Sequence, residues 1–200
     1  MSSPKLSKFW GDKGLQYVIP NDGGQYPECF DVAKELSIHL GKSLPIVEVG
    51  CGYGRIGRLF DSTQYKGLDI NPNAINRAKR ELPGYHFETI TDLEQVPTCD
   101  TLLVYTVLLH IPDEEILNSL TILANRATNI LVVEIMDKRW RSKQVVVPVY
   151  NRDPEEYILL LQQCNKHLKS YSKKPYAKYA KMRNPDLDDR ITFMLFGPEK

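Results

Sequence analysis

The sequence predicts an α/β domain built on a mostly parallel sheet with helices on both faces. Three observations lead there. Residues 45–60 read as a buried strand, a glycine turn and the start of a helix. Further apolar stretches at 65–68, 85–90, 100–108 and 129–136 alternate with segments of helical periodicity. The β-branched apolar residues of these strands follow one another without regular polar alternation, as in strands covered on both sides.

The elements follow in order. Residues 1–26 are rich in glycine, aromatic and polar residues and read as a loop arm, whose Trp10, Tyr17 and Tyr26 need a surface to pack on. Residues 27–40 carry Phe30, Ala33, Leu36 and Leu40 at helical spacing, with Gly41 as the stop. Ile46, Val47 and Val49 form the first strand, and Gly50, Gly52 and Gly54 make a turn without side chains, where backbone N–H groups could approach a ligand. A helix is expected from Arg55 to Phe60, presenting its positive end to the same corner. Asn71 caps the next helix, with Pro72 in its first turn and Ala74, Ile75, Ala78 and Leu82 as its buried stripe. His86 reads as a surface or packing residue. After a fourth strand the chain runs Leu109-His110-Ile111-Pro112, then a helix over 113–127 and a fifth strand. Asp153-Pro154-Glu155-Glu156 is a helix start, 167–171 a short strand, and 190–197 the final strand.

Composition sets broad limits. With 200 residues, 42% hydrophobic and 26% charged, this is an ordinary globular chain of one domain. A net charge of +1 gives no global field for nucleic acid or membrane. No apolar run approaches the roughly 20 residues of a membrane helix, and no signal-like segment follows Met1-Ser2-Ser3-Pro4-Lys5. Cys29, Cys51, Cys99 and Cys164 form no C-x-x-C pair, which suits a reducing, cytoplasmic setting, argues against a metal and leaves the thiols as packing residues.

The glycine turn has two registers. Gly52-x-Gly54-x-x-Gly57 satisfies a dinucleotide-binding pattern, but the position that pattern needs when counted from Gly50 is Arg55, and no second domain remains to hold a substrate. Glu48-x-Gly50-x-Gly52-x-Gly54, with Asp69 closing a second strand, instead resembles the class I S-adenosylmethionine-dependent methyltransferases, of the small-molecule, type 11/25-like kind. The resemblance covers residues 44–136 well and the remainder loosely. It implies a Rossmann-like, doubly wound sheet of seven strands whose last strand is antiparallel. It implies one domain over 1–200: an arm and helix at 1–43, a cofactor-binding core at 44–136, and a substrate-side insert with C-terminal strands at 137–200. S-adenosylmethionine would be the cofactor and S-adenosylhomocysteine the product.

The residues it implies for the cofactor are Glu48, Gly50, Cys51, Gly52, Tyr53, Gly54, Asp69, Ile70, Asp92, Leu93 and Tyr105. Asp69 would take two ribose hydroxyls, facing the corner with room between them for a nucleoside. Asp92 and Leu93 would meet the adenine, although Asp92 equally suits a helix cap. Trp10, Tyr17, Thr106, Arg139 and Tyr150 would line the acceptor side. His110 is the candidate base, or else a packing or capping residue. The strand-four sequence lacks the [D/N]-P-P-[Y/F] motif of amino-directed DNA methyltransferases, and no cysteine follows a proline as cytosine-5 chemistry requires. A small acceptor is therefore expected. The acid-free run 166–183, with Lys166, Lys169, Lys173, Lys174, Lys178, Lys181 and Arg183 among tyrosines, leaves open an RNA, a nucleotide or another anionic acceptor, and equally a solvated loop. A protein that binds the cofactor without turnover is the remaining alternative.

Overall fold

The computed structural model describes residues 10, 30–41, 44–136, 138, 149–175 and 190–199. Its first helix, α1 (Val32–Leu40), is capped by Asp31, whose side chain accepts the Lys34 N–H, and ends where Gly41 turns to φ +55°. It begins later than the periodicity suggested, because Asp31 supplies the cap. Strands β1 (Ile46–Val49), β2 (Tyr65–Asp69), β3 (His86–Thr89), β4 (Cys99–Tyr105) and β5 (Ala127–Ile135) alternate with α2 (Pro72–Glu81) and α3 (Asp113–Arg126). Helix α4 (Pro154–Gln163) precedes β6 (His167–Pro175) and β7 (Arg190–Gly197). The sheet order is β3-β2-β1-β4-β5-β7-β6; β1 to β5 run parallel, and β7 lies antiparallel between β5 and β6.

The faces follow from strand alternation. Ile130 and Val132 of β5 join α3 and α4 in one core cluster, while Leu131 and Val133 join α1 and α2 in the other. Both faces are therefore covered, as a parallel sheet requires.

Three elements differ from expectation. No α-helix follows the glycine corner; residues 52–56 are turns and Gly57–Leu59 is a single 3₁₀ turn. Three glycines within six residues disfavour a helix by about 1 kcal/mol each, and a Cβ at Gly57 would lie 2.7 Å from the Tyr65 ring. Strand β4 ends at Tyr105 because Thr106 takes a left-handed φ of +53°. The sixth strand is nine residues long, because it pairs with β7 and is gripped by α1.

That grip is a buried polar cluster. His39 Nδ1 meets Ser170 Oγ at 2.7 Å and Nε2 meets Ser172 Oγ at 2.8 Å, while Ser172 donates to Glu35 and Lys174 pairs with Glu35 at 2.8 Å. Burial depresses His39 against the pull of Glu35. Burial also opposes ionisation of Glu35, but bonds from Lys174 and Ser172 outweigh it and hold the carboxyl below its ordinary range. Both groups thus give up stability as pH falls: His39 from the ordinary histidine range downward, Glu35 below the ordinary carboxylate range. Between pH 7 and pH 4.5 the melting temperature of His39→Gln should fall less, or rise more, than that of the parent; equal slopes in both proteins would contradict it.

Candidate active site

The chain leaves β1 through Gly50, Gly52 and Gly54, at φ +77°, +56° and +81°. The N–H groups of Gly50 and Cys51 both donate to Leu68 O at 2.7 and 3.0 Å, and that of Gly54 to Cys51 O at 3.0 Å. The Gly52 N–H donates to Asp69 Oδ2 at 2.7 Å. These four donors are thus engaged inside the protein, and with no helix behind them the expected display of N–H groups and a helix dipole to a ligand is not what the corner provides. Its bareness serves close packing: a Cβ at Gly50 would lie 2.2 Å from Val107 Cγ2, and one at Gly54 2.6 Å from Phe87 Cζ.

Asp69 closes β2 with only 7% of its surface exposed. Its Oδ1 takes the Asn71 N–H at 2.8 Å. Burial pushes its pKa up, and N–H bonds from Asn71, Gly52 and Ile70 pull against that. The sequence reading left a gap between this acid and the corner; the structure joins the two by a direct hydrogen bond, so a ligand would meet them from one side as a unit. Each carboxylate oxygen still has acceptor capacity beyond one bond.

The other corner residues face inward. Glu48, 2% exposed, takes the Tyr65 hydroxyl on Oε2. Burial raises it to about 7, against the Tyr65 bond and the Arg55 charge. Cys51 is buried and its thiol pKa is well above the ordinary value, first through desolvation. It acts as a packing residue. Tyr53 is buried with the Arg77 guanidinium 4.5 Å above its ring.

At the tip of β4, Tyr105 is buried beneath the Arg55 guanidinium, 4.6 Å from its ring centre. Thr106 follows in its left-handed conformation, donating to Val133 O at 2.7 Å. A 3₁₀ turn, Leu108–His110, then presents His110. The His110 and Trp10 rings lie 4.5 Å apart at 54°, and Trp10 O accepts from Asn71 Nδ2 at 2.7 Å. Trp10 therefore spans the tips of β2 and β4. The Tyr150 N–H reaches Leu109 O at 2.6 Å, which brings that residue to the same turn. Tyr17, Tyr26 and Arg139 lie outside the described residues.

Asp92 opens a 3₁₀ turn, Leu93–Gln95, and its Oδ1 accepts the Glu94 N–H at 2.9 Å, while Leu93 packs against the core. The capping role weighed for Asp92 is thus present. Within the basic run, Lys166 Nζ donates to Ala127 O and Thr128 O at 2.6 and 3.0 Å, Lys174 pairs with Glu35, and Lys173 lies 5.8 Å over the Tyr171 ring. Residues 176–189 lie outside the described residues. Among the described residues, no cluster could hold a metal ion, and no helix is long and apolar enough to cross a membrane.

Sequence reasoning missed Arg55, Val107, Glu134 and Arg152. Glu134 carried a signal, an acid inside the apolar run 130–135. Arg152 carried none.

Residues 47–135 match a protein family described as a methyltransferase domain. This segment is similar to the class I S-adenosylmethionine-dependent methyltransferases. Comparison with curated protein sequences gives no match. The methyltransferase fold recurs in solved structures. Magnesium protoporphyrin IX methyltransferase from Synechocystis PCC 6803, with bound S-adenosylhomocysteine, is 16% identical with a TM-score of 0.71, covering 98% of this chain and 99% of that one. The Burkholderia thailandensis 1,6-didemethyltoxoflavin-N1-methyltransferase is 14% identical with a TM-score of 0.61, over 84% and 76%. The [4+2]-cyclase SpnF is 12% identical with a TM-score of 0.67, over 99% and 98%. Identities this low establish a common fold and no more.

The raised Glu48 makes this methyltransferase domain sensitive to alkali. A carboxyl raised in the folded state contributes stability that is present at low pH and lost as pH rises through the folded value, here about 7. Between pH 6 and pH 9 the melting temperature should fall, and Glu48→Gln, which keeps an oxygen for Tyr65, should reduce the slope; an unchanged slope would place Glu48 in a more solvated setting.

Proposed function

We propose that the domain transfers the methyl group of S-adenosylmethionine to a small acceptor, with residues 44–136 holding the cofactor, 1–43 covering it and 137–200 walling the acceptor side. The observation that carries this reading is the bond from Gly52 to Asp69 at the C-terminal tips of β1 and β2, beside the Trp10–His110 contact. These tips flank the point where strand order reverses between β1 and β4, the site at which open α/β sheets bind ligands.

The donor set suits the cofactor. Asp69, already oriented by three backbone bonds, offers its remaining acceptor capacity to a ribose diol, and Asp92 and Leu93 follow β3 in reach of an adenine. When bound, S-adenosylmethionine supplies a methyl group on a sulfonium whose departure as a neutral thioether needs no acid. The chain's own work is then to align two reactants and exclude water, and alignment of this kind is worth up to roughly 7–11 kcal/mol. Trp10 and His110 close one side. His110 takes a proton from acceptors that must lose one, and otherwise shapes the wall. A nucleic-acid acceptor is less well supported, because Lys166 and Lys174 are engaged within the fold.

S-adenosylhomocysteine should raise the melting temperature while NAD leaves it unchanged. Asp69→Asn should weaken S-adenosylhomocysteine binding at least tenfold by calorimetry, since one of its oxygens becomes a donor facing the Gly52 N–H. Stabilisation by NAD alone would overturn the proposal.

A further inference from the structure

We propose that Glu134 and Arg152 are a matched pair of positioning residues that fix the turn carrying His110, one binding its N–H groups and the other its carbonyls. The proposal rests on the methyltransferase reading only in that this turn walls the acceptor side.

Glu134 is fully buried near the end of β5. Its Oε1 accepts the N–H groups of Val107 and Leu108 at 2.8 and 2.6 Å. Arg152, 2% exposed, comes from the segment before α4. Its Nη1 donates to Leu108 O at 3.3 Å, and its Nη2 to Ile111 O at 2.8 Å and to the Asp113 carboxylate at 2.7 Å. The turn thus has its donors tied to an acid in the sheet and its acceptors tied to a base outside it. A guanidinium is the side chain that can reach three acceptors from one planar fork.

Two further observations separate positioning from simple stabilisation. Glu134 Oε2 is buried with no hydrogen-bond partner among the described residues. Burying a half-satisfied carboxyl inside an apolar strand is unfavourable, and a Val or Ile would suit β5 better. The group is retained where its bonds all serve the turn. Thr106, just before it, is a β-branched residue at φ +53°, a conformation that persists only when its surroundings over-determine it. The Glu134 bonds to the next two residues supply that constraint.

The test compares Glu134→Gln, Glu134→Leu, Arg152→Lys and Arg152→Met in a Trp140→Phe background, so that Trp10 is the sole tryptophan. His110 is followed by its ring proton NMR signals, assigned by loss in His110→Gln, together with Trp10 emission and S-adenosylhomocysteine affinity by calorimetry. Glu134→Leu and Arg152→Lys should displace the His110 signals and change Trp10 emission, with S-adenosylhomocysteine affinity held within threefold. Glu134→Gln, which keeps an acceptor for both N–H groups, should restore the parent spectrum. Variants that fold with lower melting temperatures but leave His110 and Trp10 unmoved would overturn the proposal, as would a Gln variant no better than Leu. If Arg152→Met does not fold, Arg152→Lys and the Glu134 pair still decide it. Failure of the parent protein to bind S-adenosylhomocysteine would count against the methyltransferase reading alone, since the His110 and Trp10 readouts need no ligand.

Discussion

One carboxylate ties the tips of β1 and β2 together. Asp69 accepts from Gly52 across 17 residues and from Asn71 two residues on, so it joins the β1 corner, the β2 tip and the start of α2. Asn71 in turn caps α2 and holds Trp10 O. Through that chain of bonds a single buried acid fixes the glycine corner and anchors the aromatic residue that crosses toward β4. Ionising it at 7% exposure is costly, and the backbone N–H groups around it offset that cost.

The same device recurs on other strands of the sheet. Glu48 on β1, Asp69 on β2 and Glu134 on β5 are all buried acids in the C-terminal halves of their strands. Each is bound to a group on another segment: the Tyr65 hydroxyl, the Gly52 N–H, and the Val107 and Leu108 N–H groups. The other face of the economy is apolar. Two continuous clusters sandwich the sheet, and they leave its polar groups no solvent to use. Buried polar groups under those conditions must find partners, and here the partners are loops that would otherwise be loose.

The fold alone does not fix the chemistry. A porphyrin methyltransferase and a [4+2]-cyclase superimpose on nearly the whole of this chain. What distinguishes such proteins is the set of side chains at the strand tips, and in this chain that set includes Asp69, Trp10, His110 and the pair that holds the His110 turn.

Much of this was legible in the sequence. Apolar strand runs, the Asn71-Pro72 cap and the Glu48-to-Gly54 spacing determined the sheet, the helices and the corner, because periodicity and turn chemistry act over a few residues. The place of Asp69 at the end of a strand was legible for the same reason. Tertiary structure decided the rest. It removed the helix expected after the corner, where the chain turns over 52–56 and Gly57 packs against the Tyr65 ring. It turned the corner's N–H groups inward, onto Leu68 O and Asp69. It also paired Glu134 with Leu108 across 26 residues and Arg152 with Leu108 across 44, contacts that exist only once β4, β5 and the segment before α4 are packed together. Local pattern records what a residue prefers; which partner satisfies a buried charge depends on chain segments that meet only in the folded state.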